Sequence, residues 1–141
     1  MPFDSFSKLA GAFAATAVEL EHHARESMNK ACEVLENSAK GAIGTYEFGW
    51  PPLAESTLER KGADTPLLET GELRDSIGHT LESPKIGWVG TNDPKAAWHE
   101  FGTSRIPARP FLGGAVNAKG KEVSEVFGKK AIEVLEHKSP T

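Results

Sequence analysis

AAWHEFGTSRIPARPFL, residues 96–112, is the densest aromatic stretch of the chain, with Trp98, Phe101 and Phe111 inside seventeen residues. Gly102, Pro107 and Pro110 punctuate it. Just upstream, Asn92-Asp93-Pro94 predicts a helix start, since a capping side chain is followed by proline at the first helical position. A short helix through Ala96 to Trp98 would set Ala97 and Phe101 on one face, with Trp98 beside them. Gly102 ends that helix, because glycine reaches the left-handed conformation without steric cost. Beyond it, Pro107 and Pro110 bias Ile106 and Arg109 towards extended backbone. The reading is a stiff extended arm from Thr103 to Pro110, pinned at both ends by buried aromatics and presenting Arg105 and Arg109. His99 is expected to hydrogen-bond beneath the arm, and Glu100 to pair with an arginine.

Outward from this stretch the periodicity changes. Ser76 to Glu82 and Lys85 to Thr91 alternate as strands do, and Ser83-Pro84 supplies a turn, so the pair reads as a hairpin. On the other side, Leu112 to Glu136 repeats as a helix does, with Val116, Val123, Phe127, Ala131 and Val134 on a stripe. Gly113 and Gly114 either belong to that helix or form a bend before it. Residues 4 to 42 are helical as well, along Phe6, Ala10, Phe13, Ala17, Leu20, Ala24, Ala31, Leu35 and Ala42, with Asp4 or Ser5 to open the helix. Such a helix exceeds ~50 Å, more than a small domain can cover. Part of it should therefore meet a neighbouring subunit, unless Gly11 breaks it. Gly41 and Gly44 end it.

Residues 44–75 are rich in glycine and proline and read as a long loop, with a short helix over Ala54 to Arg60 and a turn at Thr70-Gly71-Glu72-Leu73. The apolar anchors of this loop, among them Trp50, Leu53 and Leu73, imply that it packs on something. Together these elements predict a single α+β domain over 1–141. A long N-terminal helix (1–43) and a C-terminal helix lie on a small antiparallel sheet, with the long loop (44–75) before the sheet, arm and last helix (76–136). The expected structural anchors are Trp98, His99, Phe101, Gly102, Pro107, Pro110, Phe111, Gly71 and Leu73.

Composition narrows the function. A chain of 141 residues buries roughly 68% of its unfolded surface, enough for a core without staples. A formal charge of −4 argues against a general nucleic-acid coat. The single cysteine, Cys32, excludes an internal disulfide and a Cys-based zinc cluster. No basic leader precedes an apolar run, and no run reaches the ~18 apolar residues of a membrane span. A soluble protein made in a reducing cytoplasm is expected, with no membrane partner.

Catalytic motifs are lacking. His99-Glu100 would need a second histidine four residues on for a zinc protease, and that position is Thr103. Glu19, His22 and His23 place a carboxylate and imidazoles on one helix, but a di-iron site needs a second such motif and more carboxylates. No nucleophile elbow, P-loop or dinucleotide fingerprint is present. No catalytic residue, metal site or cofactor is expected, and the protein is read as not an enzyme. The charge pattern is more informative. Phe101 to Lys121 contains no acid but carries Arg105, Arg109, Lys119 and Lys121, while residues 44–75 carry seven acids against three basic residues. Unlike surfaces of this kind can close on themselves or meet head-to-tail in a ring.

Three segments also carry a family resemblance. WHEFGTSRIPARPFL (98–112) resembles the tail-component or tail-completion family of long-tailed double-stranded DNA phages. WPPLAESTLERKG (50–62) and PLLETGELRDSI (66–77) are similar to the virion-morphogenesis family typified by phage Mu. These segments cover about a third of the chain, in the expected order. The resemblance implies a structural virion protein at the head–tail junction, a neck or connector protein made in the host cytoplasm. It would assemble with itself as a ring, six-fold being one option, around phage DNA bound without sequence specificity. Other neck or connector proteins and the tail tube or tail terminator would be its further partners. Arg105, Ile106, Arg109, Trp50 and Leu53 are the expected contact residues. Two alternatives remain from the residues: a small DNA-binding or toxin-like domain using Arg105 and Arg109, and a hydrolase using His99 and Glu100.

Overall fold

The computed structural model describes the backbone of residues 6–137 and the side chains of residues 19 and 21–129. The helix opening at Asp4 or Ser5 lies outside these residues, as do the side chains of Phe6, Ala10, Phe13, Ala17, Leu20, Ala131 and Val134 on the two helical stripes. The fold is α+β, with long helices at both ends and a two-stranded antiparallel sheet between them.

Helix α1 (Phe6–Ala42) runs through Gly11 without a break and through Gly41 to Ala42. Its 37 residues extend for about 55 Å at the α-helical rise. The stop comes at Gly44, with a positive φ of 89°, while Thr45 turns back through its hydroxyl to the Ala42 carbonyl at 2.8 Å. The described part of α1 buries small side chains: Ser27, Ala31, Cys32, Ala39 and Ala42. Small residues let other elements approach the helix axis closely. Both the hairpin and the last helix, α5 (Phe111–His137), pack on α1.

The hairpin joins β1 (Gly78–Ser83) to β2 (Ile86–Gly90), with Gly78 opposite Gly90 and an irregularity in register between Leu81 and Ser83. Its inner face meets α1 at Gly87, where an added Cβ would lie 2.5 Å from Cys32 Sγ. His79 fastens β1 to α1, with Nδ1 3.0 Å from Glu36 Oε2 and Nε2 3.0 Å from Asn29 Oδ1. Ile86 and Trp88 face outward, at 45% and 60% exposure.

The segment between α1 and the sheet is far from a free loop. It contains α2 (Glu55–Lys61) and α3 (Glu72–Ser76). Pro66 is fully buried, and Trp50 and Leu73 join Ala39, Ala42, Ile43, Ile77, Phe111 and Ala115 in the core. Phe48 packs on this core with its ring edge-on to Trp50, and it lies over Gly114, where a Cβ would collide with it. Gly113 and Gly114 thus belong to the first turn of α5 rather than to a bend. The close approach of Phe48 explains the second of them.

Candidate functional site

The motif at 96–112 forms helix α4 (Ala96–Phe101), a folded-back arm, and the start of α5. Asp93 makes the turn that leads into α4, whose N-cap is Lys95, with no side-chain cap bond. Its carboxylate accepts from the Lys95 amide at 2.9 Å, and its carbonyl from the Ala96 amide at 3.0 Å. Ala96 turns to the core. Gly102 ends the helix at φ 77°, where its amide reaches the Trp98 carbonyl at 2.8 Å. A Cβ there would stand 2.7 Å from the Ala108 nitrogen, so only glycine lets the returning chain lie this close.

The arm is not extended throughout. Thr103 to Ile106 is a tight turn closed by the Thr103 amide on the Ile106 carbonyl at 2.9 Å. Its hydroxyl accepts from the amides of Arg105 and Ile106 at 3.1 and 3.2 Å. Proline fixes its own φ and restricts the one residue before it, and a threonine hydroxyl that offers local bonds decides the residues further back. The chain then returns beside α4, where the Arg109 amide meets the His99 carbonyl at 2.6 Å.

Inner and outer sides of the motif have different environments. On the inner side, Phe111 is fully buried. Arg109 is 7% exposed, and its guanidinium donates to the Pro51 carbonyl at 2.9 and 3.2 Å and to the Pro52 carbonyl at 3.1 Å. Beside it, Trp50 Nε1 donates to the Pro110 carbonyl at 3.4 Å. Arg109 and Trp50, expected as partner contacts, instead stitch the arm to residues 50–52 of the same chain. Leu53 is half-buried. Among the described residues Glu100 pairs with no arginine. Its carboxylate accepts from the amides of Leu112 at 3.0 Å and Gly113 at 2.7 Å, and so caps α5. The first turn of α5 has no acidic residue of its own, and Glu100 supplies the anion that a helix N-terminus favours.

The outer side carries what the sequence assigned to the core. Phe101 is 81% and Trp98 54% exposed, so neither is a buried anchor. They lie three residues apart on one face of α4, where helical geometry makes them neighbours. Because α4 is only six residues long, the inward positions at Ala96 and His99 exhaust the face it can bury. Arg105 is exposed, and its guanidinium has no partner among the described residues.

Between the arm and α2 lies a groove of about 410 Å3, with an apolar lining at Leu53, Leu67, Ile106 and Pro107. Arg60, Lys61, Arg105 and Arg109 line it against one carboxylate, Glu69, which pairs with Arg60. The electrostatics follow. Burial, then the nearby Arg109 charge, hold the His99 imidazole below its ordinary titration range. Burial lowers Lys61 likewise. His99 and Glu100 diverge in role, one at the groove wall and the other on the α5 amides, which leaves no paired acid and base. Among the described residues no group of three His, Cys, Asp or Glu side chains could hold a metal ion, and no helix is long and apolar enough to cross a membrane.

Comparison with known proteins bears on all of this chain's motifs. The profile of the phage virion morphogenesis family matches residues 5–130. Mu-like prophage FluMu G protein 2 of Haemophilus influenzae is 39% identical over 74 residues, covering 48% of this chain and 51% of that protein. The chain thus spans about half the length of that curated relative. No solved structure matches.

Proposed function

The chain belongs to the phage virion morphogenesis family, and on that premise we propose that it completes the head–tail junction of a tailed double-stranded DNA phage. Its copies form a ring around the DNA channel, contact the neck and tail proteins on either side, and catalyse no reaction. The observation that carries this reading is the two-sided arm. Its inner side is fixed to its own chain by Arg109, Glu100 and Phe111, while Trp98, Phe101 and Arg105 are held outward. Large aromatic side chains exposed on a rigid support are the composition of a protein contact, where Trp, other aromatics and Arg are enriched. A DNA-binding arm is less well supported, since Arg109 is spent on the Pro51 and Pro52 carbonyls and Arg105 alone gives weak, salt-sensitive affinity.

The experiment is light scattering on the purified protein, alone and with tails from a phage lacking it, followed by electron microscopy. Rings at one end of the tail are expected. A monomer that binds DNA and never joins tails would overturn the reading.

A further inference from the structure

The groove between the arm and α2 is lopsided in charge, and α2 itself is lopsided in the opposite sense. Thr57, Arg60 and Lys61 line the groove. At 100° per residue, Glu55 and Glu59 stand on the far side of the same helix. Both are exposed, and neither has a partner among the described residues. The macrodipole accounts for Glu55 in the first turn and for Arg60 and Lys61 in the last, but not for Glu59. Like charges four apart weaken a helix, and Glu59 lies towards the C-terminal end, where a carboxylate opposes the macrodipole. On the groove side, the Pro51 and Pro52 carbonyls hold Arg109, the Thr65 carbonyl holds Lys61 and Glu69 pairs with Arg60. This leaves a net positive lining and the Arg105 guanidinium at the rim unpaired among the described residues. The helix is therefore a partition with a basic groove on one side and an acidic ridge on the other.

We infer that the groove receives the Glu55–Glu59 ridge of a second copy of this chain, so that each α2 is gripped by one neighbour while its own groove grips the next. The contact joins unlike surfaces, and head-to-tail contacts of that kind generate closed rings. The apolar lining at Leu53 and Ile106 would exclude water from the paired charges and strengthen them. This inference rests on the ring reading above and names the surfaces that make the ring.

Charge swapping tests it. A groove-reversed variant (Arg60→Glu, Arg105→Glu) and a ridge-reversed variant (Glu55→Arg, Glu59→Arg) are compared with the unaltered protein by sedimentation velocity, with melting curves for each. The unaltered protein should assemble, with association weakening as salt rises. Each variant alone should lose at least tenfold in association at unchanged melting temperature, and an equimolar mixture should assemble again with alternating copies. If Arg60→Glu disturbs folding beside Glu69, Arg105→Glu alone serves, because its guanidinium has no partner among the described residues. Variants that assemble like the unaltered protein would overturn the groove contact while the ring stands. Loss without recovery on mixing would place the contact elsewhere. An unaltered protein that stays monomeric at every concentration would overturn the groove contact, and one that also forms no ring on tails would overturn both.

Discussion

Phe111 and Phe101 stand ten residues apart in one motif, and Arg109 and Arg105 four apart, yet each pair divides between core and surface. Phe111 is enclosed by the C-terminal end of α1 and the segment around Trp50, and Arg109 by the carbonyls of Pro51 and Pro52. Phe101 and Arg105 meet no such segment. Residue type says little here, because what separates the pairs is a partner about sixty residues earlier in the chain. The inner half of the motif belongs to the fold, and the outer half is exposed.

Truncation should expose this asymmetry most strongly at the phenylalanines. Phe111→Ala should cost about 3–5 kcal/mol in denaturant unfolding, as large-to-small changes in a packed core do. Phe101→Ala should stay within about 0.5 kcal/mol, the range of ordinary surface changes. Equal costs would erase the distinction. The arginines come next. Arg109→Ala leaves the Pro51 and Pro52 carbonyls without their charged donor, and hydrogen bonds to charged groups are worth about 1.5–3 kcal/mol. Arg105→Ala should leave the unfolding midpoint where it is.

Glu100→Ala should follow, at about 0.5–2 kcal/mol, the usual cost of removing a capping side chain. The loss should appear as faster amide exchange at Leu112 and Gly113. Unchanged exchange there would mean that water satisfies these amides equally well.

Much of this was legible from sequence. The hairpin was readable in the alternation on either side of Ser83-Pro84, and the two long helices in their apolar stripes. Local rules found α4 and its stop at Gly102. They could not find the cap on α5, because Glu100 reaches Leu112 and Gly113 from a different helix across a turn. They also misplaced Trp98 and Phe101, because aromatic content implies burial only when the helix has another face to expose. His79 gave no signal, since its partners Glu36 and Asn29 lie some forty to fifty residues away in sequence.

The smallest expected effect is a pH dependence. The folded-state pKa of His99 lies below its ordinary 6.5, owing to burial and then to Arg109. Below pH 6.5 the unfolded chain therefore takes up a proton that the folded chain resists. Stability should be level above pH 6.5 and fall as the pH drops from there towards the folded pKa. His99→Gln should flatten that window. Glu36 acts separately. Burial raises its pKa, but the bonds from His79 and Lys40 outweigh this and leave it lowered from 4.5. Its contribution is present above pH 4.5 and is lost as the pH falls through its folded value.

The claim at the centre is that the outer side of the motif serves assembly and not folding. The paired substitution Trp98→Ser with Phe101→Ser tests it most directly, measured as melting temperature and as yield of infectious particles when the variant complements a phage lacking this protein. The account predicts an unchanged or slightly raised melting temperature, with heads and tails accumulating unjoined. A variant that unfolds, or one that completes particles at full yield, would contradict it.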